Sequence, residues 1–597
     1  MSTYAAPLKD MRFVLNELAG LAEVAKLPGY EEATPDTVDA ILEEAARFAG
    51  EVLDPLNRGG DQEGSKLVDG EVRTPKGFRD AYRKFAEGGW NALPFEPHWG
   101  GQGLPKLVAT PVDEMWTSAN MSFSLCPLLT QGAVHALALR GAGKLQQTFI
   151  PKMVSGEWTG TMNLTEPQAG SDLALVKTKA VRGKDENNAD HYRISGQKIF
   201  ITYGEHDLTQ QIVHLVLART PEAPEGTKGI SLFVVPKFMV KPDGSLGERN
   251  SARCASLEHK LGIHASPTAV MLYEDAIGYL VGEENRGLET MFIMMNAARF
   301  GVGLEGVAIA ERAFQRALSF SRERLQGRDL AAGGKTVPII RHPDVRRMLM
   351  LMKSQTEAMR ALAYVVAAAL DFSQREKDEE KRKRHQAFVD LMIPIVKGWS
   401  TETANEIAGL GVQIHGGMGF IEEAGAAQYV RDARITTIYE GTTGIQAMDL
   451  VGRKIAREGG ATAKAWIEEL KRFDVELGRS GNPDIRSLRR QLAAGVQALA
   501  DGVQFFVAQK DPHAAQAGAV PFLKLAGIVA GGWQLARSAL IAERKMNDGD
   551  ASFLKAKIAT ARFYGDHVLV QAPALRETVL NGAAGVMALA EDQFLAT

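Results

Sequence analysis

The chain has 597 residues, with 69 basic and 72 acidic side chains, 45% hydrophobic and 24% charged. That is several domains of ordinary globular protein, which excludes a disordered or collagen-like chain and leaves ample apolar material for buried cores. A formal charge of -3 makes no bulk electrostatic case for nucleic acid or anionic membrane, and two cysteines, Cys126 and Cys254, cannot build a disulfide framework or a four-thiolate metal site.

The amino terminus carries Asp10 and Glu17 early and lacks the basic-then-apolar order of a secretion signal, so the chain is expected in the cytoplasm. Residues 1–156 read as a helical domain. Val38, Ile41, Leu42 and Ala45 recur at helical spacing, as do Phe78, Tyr82, Phe85 and Ala86. Between such helices, 95–105 is a loop punctuated by proline and glycine. Residues 157–286 read as a β-domain, with β-branched runs at 212–217 and 230–235 and a polar turn at 182–189.

Helix returns over 287–455, including an amphipathic stretch at 345–371. The charge run 375–384 reads as a solvated helix face or turn. Residues 456–597 read as an additional helical domain, with a loop at 478–483. Counting 451–597 gives 19 basic and 15 acidic residues. The most apolar run, 525–536, offers about 12 uncharged residues, too few to cross a bilayer. It reads as a buried helix, and no membrane span is expected.

Gly301, Gly303 and Gly306 form a formal GxGxxG. A dinucleotide site needs those glycines after a strand, whereas 288–300 reads as helix, so they read instead as positions of close helix packing. No phosphate loop, HExxH or GxSxG is present, and the histidines lack metal spacing, so no metal site is expected.

Four segments carry chemistry. Residues 162–172, containing Thr165-Glu166-Pro167 and Ala169-Gly170-Ser171-Asp172, leave a strand and turn at Pro167 and Gly170. Residues 194–202 alternate so that Phe200 and Thr202 project to one face, an aromatic plane beside a hydroxyl suited to a flat heteroaromatic ring. Residues 413–420 form a glycine-rich turn able to approach a phosphate or adenosine. Residues 431–442 end in Tyr439-Glu440-Gly441-Thr442. Singly, each has a plain reading: Thr-Glu-Pro as a turn, Phe200 as core, Glu440 as a surface or capping carboxylate.

In this order and spacing the four segments resemble the acyl-CoA dehydrogenase family over about residues 35–455. The amino-terminal residues and the extra carboxy-terminal region resemble its long-form bacterial branch. The resemblance implies an α+β fold, mostly α: a helical domain, a central β-domain, a helical bundle and an additional helical domain. It implies FAD-dependent desaturation of an acyl-CoA to a trans-2-enoyl-CoA, the α-proton going to a base and the β-hydride to flavin N5. Such a base must be partly desolvated, and the thioester oxygen must be hydrogen-bonded.

By position, the base is Glu440. The place of an alternative base in some relatives holds Ala298, which cannot serve. Met162, Leu164 and Thr165 match the segment along the isoalloxazine, Thr202 the hydroxyl near N5, and Phe200 an aromatic wall where relatives often carry Trp. Arg324 resembles the arginine that reaches the FAD pyrophosphate of a neighbouring subunit, without the usual aromatic before the glycine. Gln413 and Gly417 match the turn over the ADP half, and Thr442 sits beside the base. Ser171 and Arg299 match substrate-side positions, although Arg299 reads equally as a buried structural cation.

The branch points to 3-methylthiopropanoyl-CoA or a straight-chain fatty acyl-CoA as substrate, an electron-transfer flavoprotein as acceptor, and a homodimer. Same-fold alternatives are an acyl-CoA oxidase and a DNA-binding alkylation-response flavoprotein. For the latter, the dispersed positive balance of the last domain is weak support.

Overall fold

Thr34 opens the first long helix, α1 (Pro35–Phe48). Its side chain accepts from Thr37 N–H while Pro35 occupies the first turn. Val38, Leu42 and Ala45 are buried along one face, as their spacing predicts. The structure, a computed structural model, describes residues 4–184, 190–329, 331 and 333–595. A two-stranded hairpin, β1 (Lys66–Val68) and β2 (Glu71–Arg73), interrupts the helical domain, where the sequence shows no strand signal. Asp69 and Gly70, at φ +52° and +81°, supply its tight turn. Helices α2 (Phe78–Glu87), α3 (Lys106–Ala119), α4 (Met121–Arg140) and α5 (Gly143–Val154) complete the region.

The β-domain follows. Strands β3 (Trp158–Asn163), β4 (Lys179–Lys184), β5 (Asp190–Thr202), β6 (Gln211–Ala218) and β7 (Ser231–Pro236) precede a side hairpin of β8 (Phe238–Val240) and β9 (Leu246–Arg249). Then come β10 (Ala252–Leu257) and β11 (Thr268–Leu280). The main sheet runs β3-β6-β7-β11-β5-β4, with β10 beside β11. Among the described residues, β3 and β6 are the one strand pair of this sheet that runs parallel, with a single parallel bridge from Lys179 of β4 to Arg219. β6 and β7 are buried on both faces, which is why they read as unbroken β-branched runs. The expected turn at 182–189 is corrected at its start, since 182–184 belong to β4; positions 185–189 lie outside the described residues.

Helix α6 (Gly287–Glu323) has 37 residues and packs along α8 (Glu379–His415), with α7 (Pro343–Arg375) beside both. The GxGxxG match sits inside α6. A Cβ on Gly303 would lie 2.6 Å from Val396, and one on Gly306 2.7 Å from the Ser400 carbonyl, so these glycines let two helices touch and hold no dinucleotide turn. The charge run 375–384 spans the exposed turn between α7 and α8, where Asp378 caps Glu380 and Lys381. Short helices α9 (Ala426–Arg434) and α10 (Thr443–Met448) lead into the last bundle: α11 (Ala461–Leu477), α12 (Pro483–Ala508), α13 (Pro512–Arg544) and α14 (Ala551–His567).

Buried charge joins that bundle to the rest. Lys557 of α14 meets Asp10 and, at 2.9 Å, Glu357 of α7. Arg360 of α7 meets Asp10 at 2.8 Å and both Glu114 and Glu311 at 2.7 Å. By length and composition α4, α6 and α13 could each cross a membrane, and 78%, 67% and 61% of their most apolar windows are buried in the fold. The run 525–536 is thus buried within a 33-residue helix, with its apolar residues packed inside.

Candidate functional site

The turn after β3 is tied down by charge. Glu166 and Ala169 exchange two backbone hydrogen bonds of 3.0 Å, folding Pro167 and Gln168 outward. The Glu166 carboxylate then accepts from Lys177 N–H at 2.7 Å, Thr178 N–H at 3.0 Å, the Thr178 hydroxyl at 2.6 Å and Lys198 Nζ at 2.8 Å. Lys198, fully buried in β5, also donates to the Leu164 carbonyl at 3.0 Å. A buried ion pair holds only when its remaining lone pairs are satisfied, and here they are. Lys198 and these hydrogen bonds keep the Glu166 carboxyl well below its ordinary range. Ile199 N–H donates to Thr165 O at 2.9 Å, which sets the 162–165 segment against the end of β5.

There the strand is irregular. Its register against β11 shifts between Ala269 and Met271, and Phe200 takes φ +60°. Ile201 is buried and Thr202 half-buried, while the Phe200 ring is 59% exposed. Phe200 is therefore not core. With Met162 and Thr165 half-buried and Leu164 buried beneath, these side chains form an open apolar wall edged by hydroxyls. Ser171 is exposed on the same turn.

A second group surrounds Glu440. Its φ is +54° and that of Gly441 is +92°, a left-handed pair unusual for a non-glycine residue. Three side chains grip this turn. Lys397 of α8 donates to Gly441 O at 2.5 Å, Gln446 donates to Glu440 O at 3.0 Å, and the Tyr439 hydroxyl donates to Glu305 of α6. The Thr442 hydroxyl caps α10 by accepting from Ile445 N–H. Arg299 is buried and meets Asp449 at 3.3 Å, and Arg453 meets the same carboxylate at 2.6 Å. Of the two readings of Arg299, a paired buried cation is what the fold presents, and it faces Glu440 as well.

Among the described residues the Glu440 carboxyl makes no hydrogen bond and its N–H finds no acceptor. Loss of water pushes its pKa up to about 7, against the pull of Arg299 and Lys397. Burial likewise pushes Glu305 up to about 8 and Lys397 down to about 8. A cavity of about 830 Å³ between α3, α4, α6, α7 and α8 has Arg299, Asp449 and Arg453 in its wall beside Leu128, Gln131 and Phe292, while Glu440 and Lys397 do not line it.

A third group lies apart. Gln413 is exposed in the last turn of α8, Gly417 is exposed just beyond it, and Arg324 is exposed at the end of α6. A stacked Phe320–His415 pair, with ring centroids 4.3 Å apart, brings those two helix ends together. Arg324 is roughly 37 Å along α6 from Arg299, at 1.5 Å per residue. Within one chain, Arg324, Gln413 and Gly417 thus lie at a separate end from Arg299.

Sequence reasoning missed Glu305, Lys397 and Lys198. Each had a faint signal, a lone ionisable residue inside an apolar or small-residue run, but no motif.

With this geometry in hand, four family models match successive parts of the chain: Acyl-CoA dehydrogenase, N-terminal domain over 35–157, middle domain over 161–276, and C-terminal domain over 285–456, then Acetyl-CoA dehydrogenase C-terminal like over 461–590. The chain is 51% identical to a 3-methylmercaptopropionyl-CoA dehydrogenase of Ruegeria pomeroyi, covering 96% of this chain and 97% of that protein. The chain belongs to the acyl-CoA dehydrogenase family. It is also 33% identical, over the whole of both chains, to a broad-specificity linear acyl-CoA dehydrogenase of Mycobacterium tuberculosis. Among solved structures, an acyl-CoA dehydrogenase complexed with FAD from Bacillus anthracis superposes with a TM-score of 0.73 at 21% identity, covering 96% of this chain and 92% of that one. The additional bundle is therefore part of the shared fold.

Proposed function

We propose that the protein is an FAD-dependent acyl-CoA dehydrogenase in which Glu440 removes the α-proton of the acyl thioester. The observation that carries this reading is the Glu440 turn. A carboxyl without hydrogen bonds, its pKa near neutrality, stands beside its own unused N–H. The carboxylate is a base of useful strength at neutral pH. The N–H is a preorganised donor for the thioester oxygen, where enolate-like charge develops. The Phe200 ring with Thr165 and Thr202 fits a flat isoalloxazine, an apolar plane flanked by hydroxyls. FAD, when bound there, supplies the hydride acceptor. Met162 and Leu164 back that plane. Thr442 fixes the helix following the base, and Arg299 holds positive charge on the substrate side through the cavity wall. Ser171 lies on the outer edge of the same turn.

Arg324, Gln413 and Gly417 serve the nucleotide half of the cofactor across a homodimer. The distance of Arg324 from Arg299 within one chain, and the exposed Met418, Phe420 and Ile421 beside Gln413 and Gly417, support that assembly. The 51% identical relative supports 3-methylthiopropanoyl-CoA as substrate, with straight-chain acyl-CoAs as the second choice. Electrons then pass to an electron-transfer flavoprotein.

The test is anaerobic bleaching of the ~450 nm flavin absorbance by a panel running from butanoyl- and 3-methylthiopropanoyl- to palmitoyl-CoA. Rapid bleaching by 3-methylthiopropanoyl-CoA is expected. A flavin that no member bleaches would refute the activity.

A further inference from the structure

Lys397 invites a question that the base alone does not answer. An ammonium group buried in the middle of α8 is expensive, and methionine or leucine would pack in that apolar run without the charge. Its one hydrogen bond among the described residues goes to Gly441 O, the carbonyl next in chain to Glu440. On the other side of Glu440, Tyr439 is held in the same manner by Glu305, itself buried among the small residues of α6. Two long helices thus each send one ionisable side chain to the residues flanking the base. Gln446 ties the carbonyl of Glu440 itself.

We propose that Lys397 and the Tyr439–Glu305 pair are positioning residues, clamping the Tyr439–Glu440–Gly441 backbone in its left-handed turn so that the carboxylate and N–H of Glu440 face one point. The proposal rests on the reading of Glu440 as the base. Left-handed φ is disfavoured for glutamate, because its Cβ crowds the following carbonyl. The turn therefore persists only while neighbours over-determine it. Released, the backbone would relax to right-handed φ, and carboxylate and N–H would no longer converge. The titratable and charged groups facing Glu440 are Arg299 and Glu305 from α6, Lys397 from α8 and Tyr439 beside it; Glu402 faces Lys397, and Asp449 with Arg453 faces Arg299. Among them Lys397 and Arg299 favour the ionised base. Arg299 is already paired with Asp449, whereas the Lys397 ammonium bonds only a neutral carbonyl.

The experiment compares Lys397→Met with the parent holoenzyme. Three quantities are read: bound flavin, the pH dependence of anaerobic flavin reduction by 3-methylthiopropanoyl-CoA and butanoyl-CoA, and amide hydrogen exchange of peptides covering 438–446. The variant should keep its flavin, reduce about tenfold more slowly at pH 7, and show its pH midpoint raised by about one unit, because an opposing charge is lost. Exchange over 438–446 should accelerate. Partial recovery of the rate above pH 9 marks the electrostatic part, which loss of packing alone would not give. Lys397→Arg should restore the midpoint.

A midpoint and rate indistinguishable from the parent, with unchanged exchange, would overturn the proposal. Tyr439→Phe keeps the ring and removes only the hydroxyl, so it decides the matter if Lys397→Met does not fold. Faster exchange and a lower limiting rate at an unchanged midpoint are expected, and parent values in both would be decisive against. Glu440→Gln separates the two claims. An active Glu440→Gln protein removes the base assignment, whereas an inactive one beside an unaltered Lys397→Met removes only the clamp.

Discussion

Glu305 offers a test of the site's electrostatics that needs no substrate. Its side chain is 2% exposed, one carboxyl oxygen is engaged by Tyr439, and the other has no partner. Burial pushes its pKa from 4.5 up to about 8. A carboxyl that binds its proton more tightly folded than unfolded stabilises the fold below its unfolded pKa, and that stability is lost as pH rises toward the folded value. Each pH unit in that window is worth about 1.4 kcal/mol, so between pH 4.5 and 7 the loss is on the order of 3 kcal/mol. Glu305→Gln keeps the shape and an acceptor for the Tyr439 hydroxyl but has no proton to lose. Urea midpoints measured for both proteins at pH 5, 6, 7 and 8 should diverge, the variant gaining on the parent with each step. Parallel curves would show that Glu305 is not held neutral by its surroundings, and the reasoning about burial at this site would fail.

Two further outcomes follow from the same geometry. Because burial pushes Glu440 up to about 7 and the ionised form is the base, anaerobic flavin reduction should rise with pH through about 7. A rate constant flat from pH 5 to 9, measured by stopped-flow absorbance, would contradict this. Lys198→Met should leave Glu166 buried and unpaired, costing about 3–5 kcal/mol and releasing flavin with the loosened 162–166 turn. Gel filtration with absorbance at the flavin band checks it, and retention of full flavin would place the Lys198–Glu166 pair outside the cofactor wall.

The chemistry-bearing motifs were legible because each is local. Thr165-Glu166-Pro167 and Tyr439-Glu440-Gly441-Thr442 carry their turns in consecutive residues, and the helical spacing of Val38, Leu42 and Ala45 is visible in any sequence window. The β1–β2 hairpin was missed although Asp69-Gly70 is a hairpin turn, because three-residue strands between helices show no periodicity. What sequence could not show is which distant residue answers which. Lys198 meets Glu166 across 32 positions, and Glu305 meets Tyr439 across 134. These pairings exist only once β5 lies against the end of β3 and α6 against the 435–442 segment. The glycines of α6 were read correctly as packing positions, but the glutamate between them was passed over. Its partner comes from a loop beyond α9, not from the helix itself.

The most direct test of the central claim is single-turnover flavin reduction by the Glu440→Gln protein under anaerobic conditions, beside the parent. The account predicts a variant that folds, keeps its yellow flavin and binds acyl-CoA, yet reduces about 10²–10⁴-fold more slowly, the range expected for losing a general base. A variant that bleaches within a few-fold of the parent rate would show that some other group takes the α-proton, and Glu440 would be left as a well-placed but idle carboxylate.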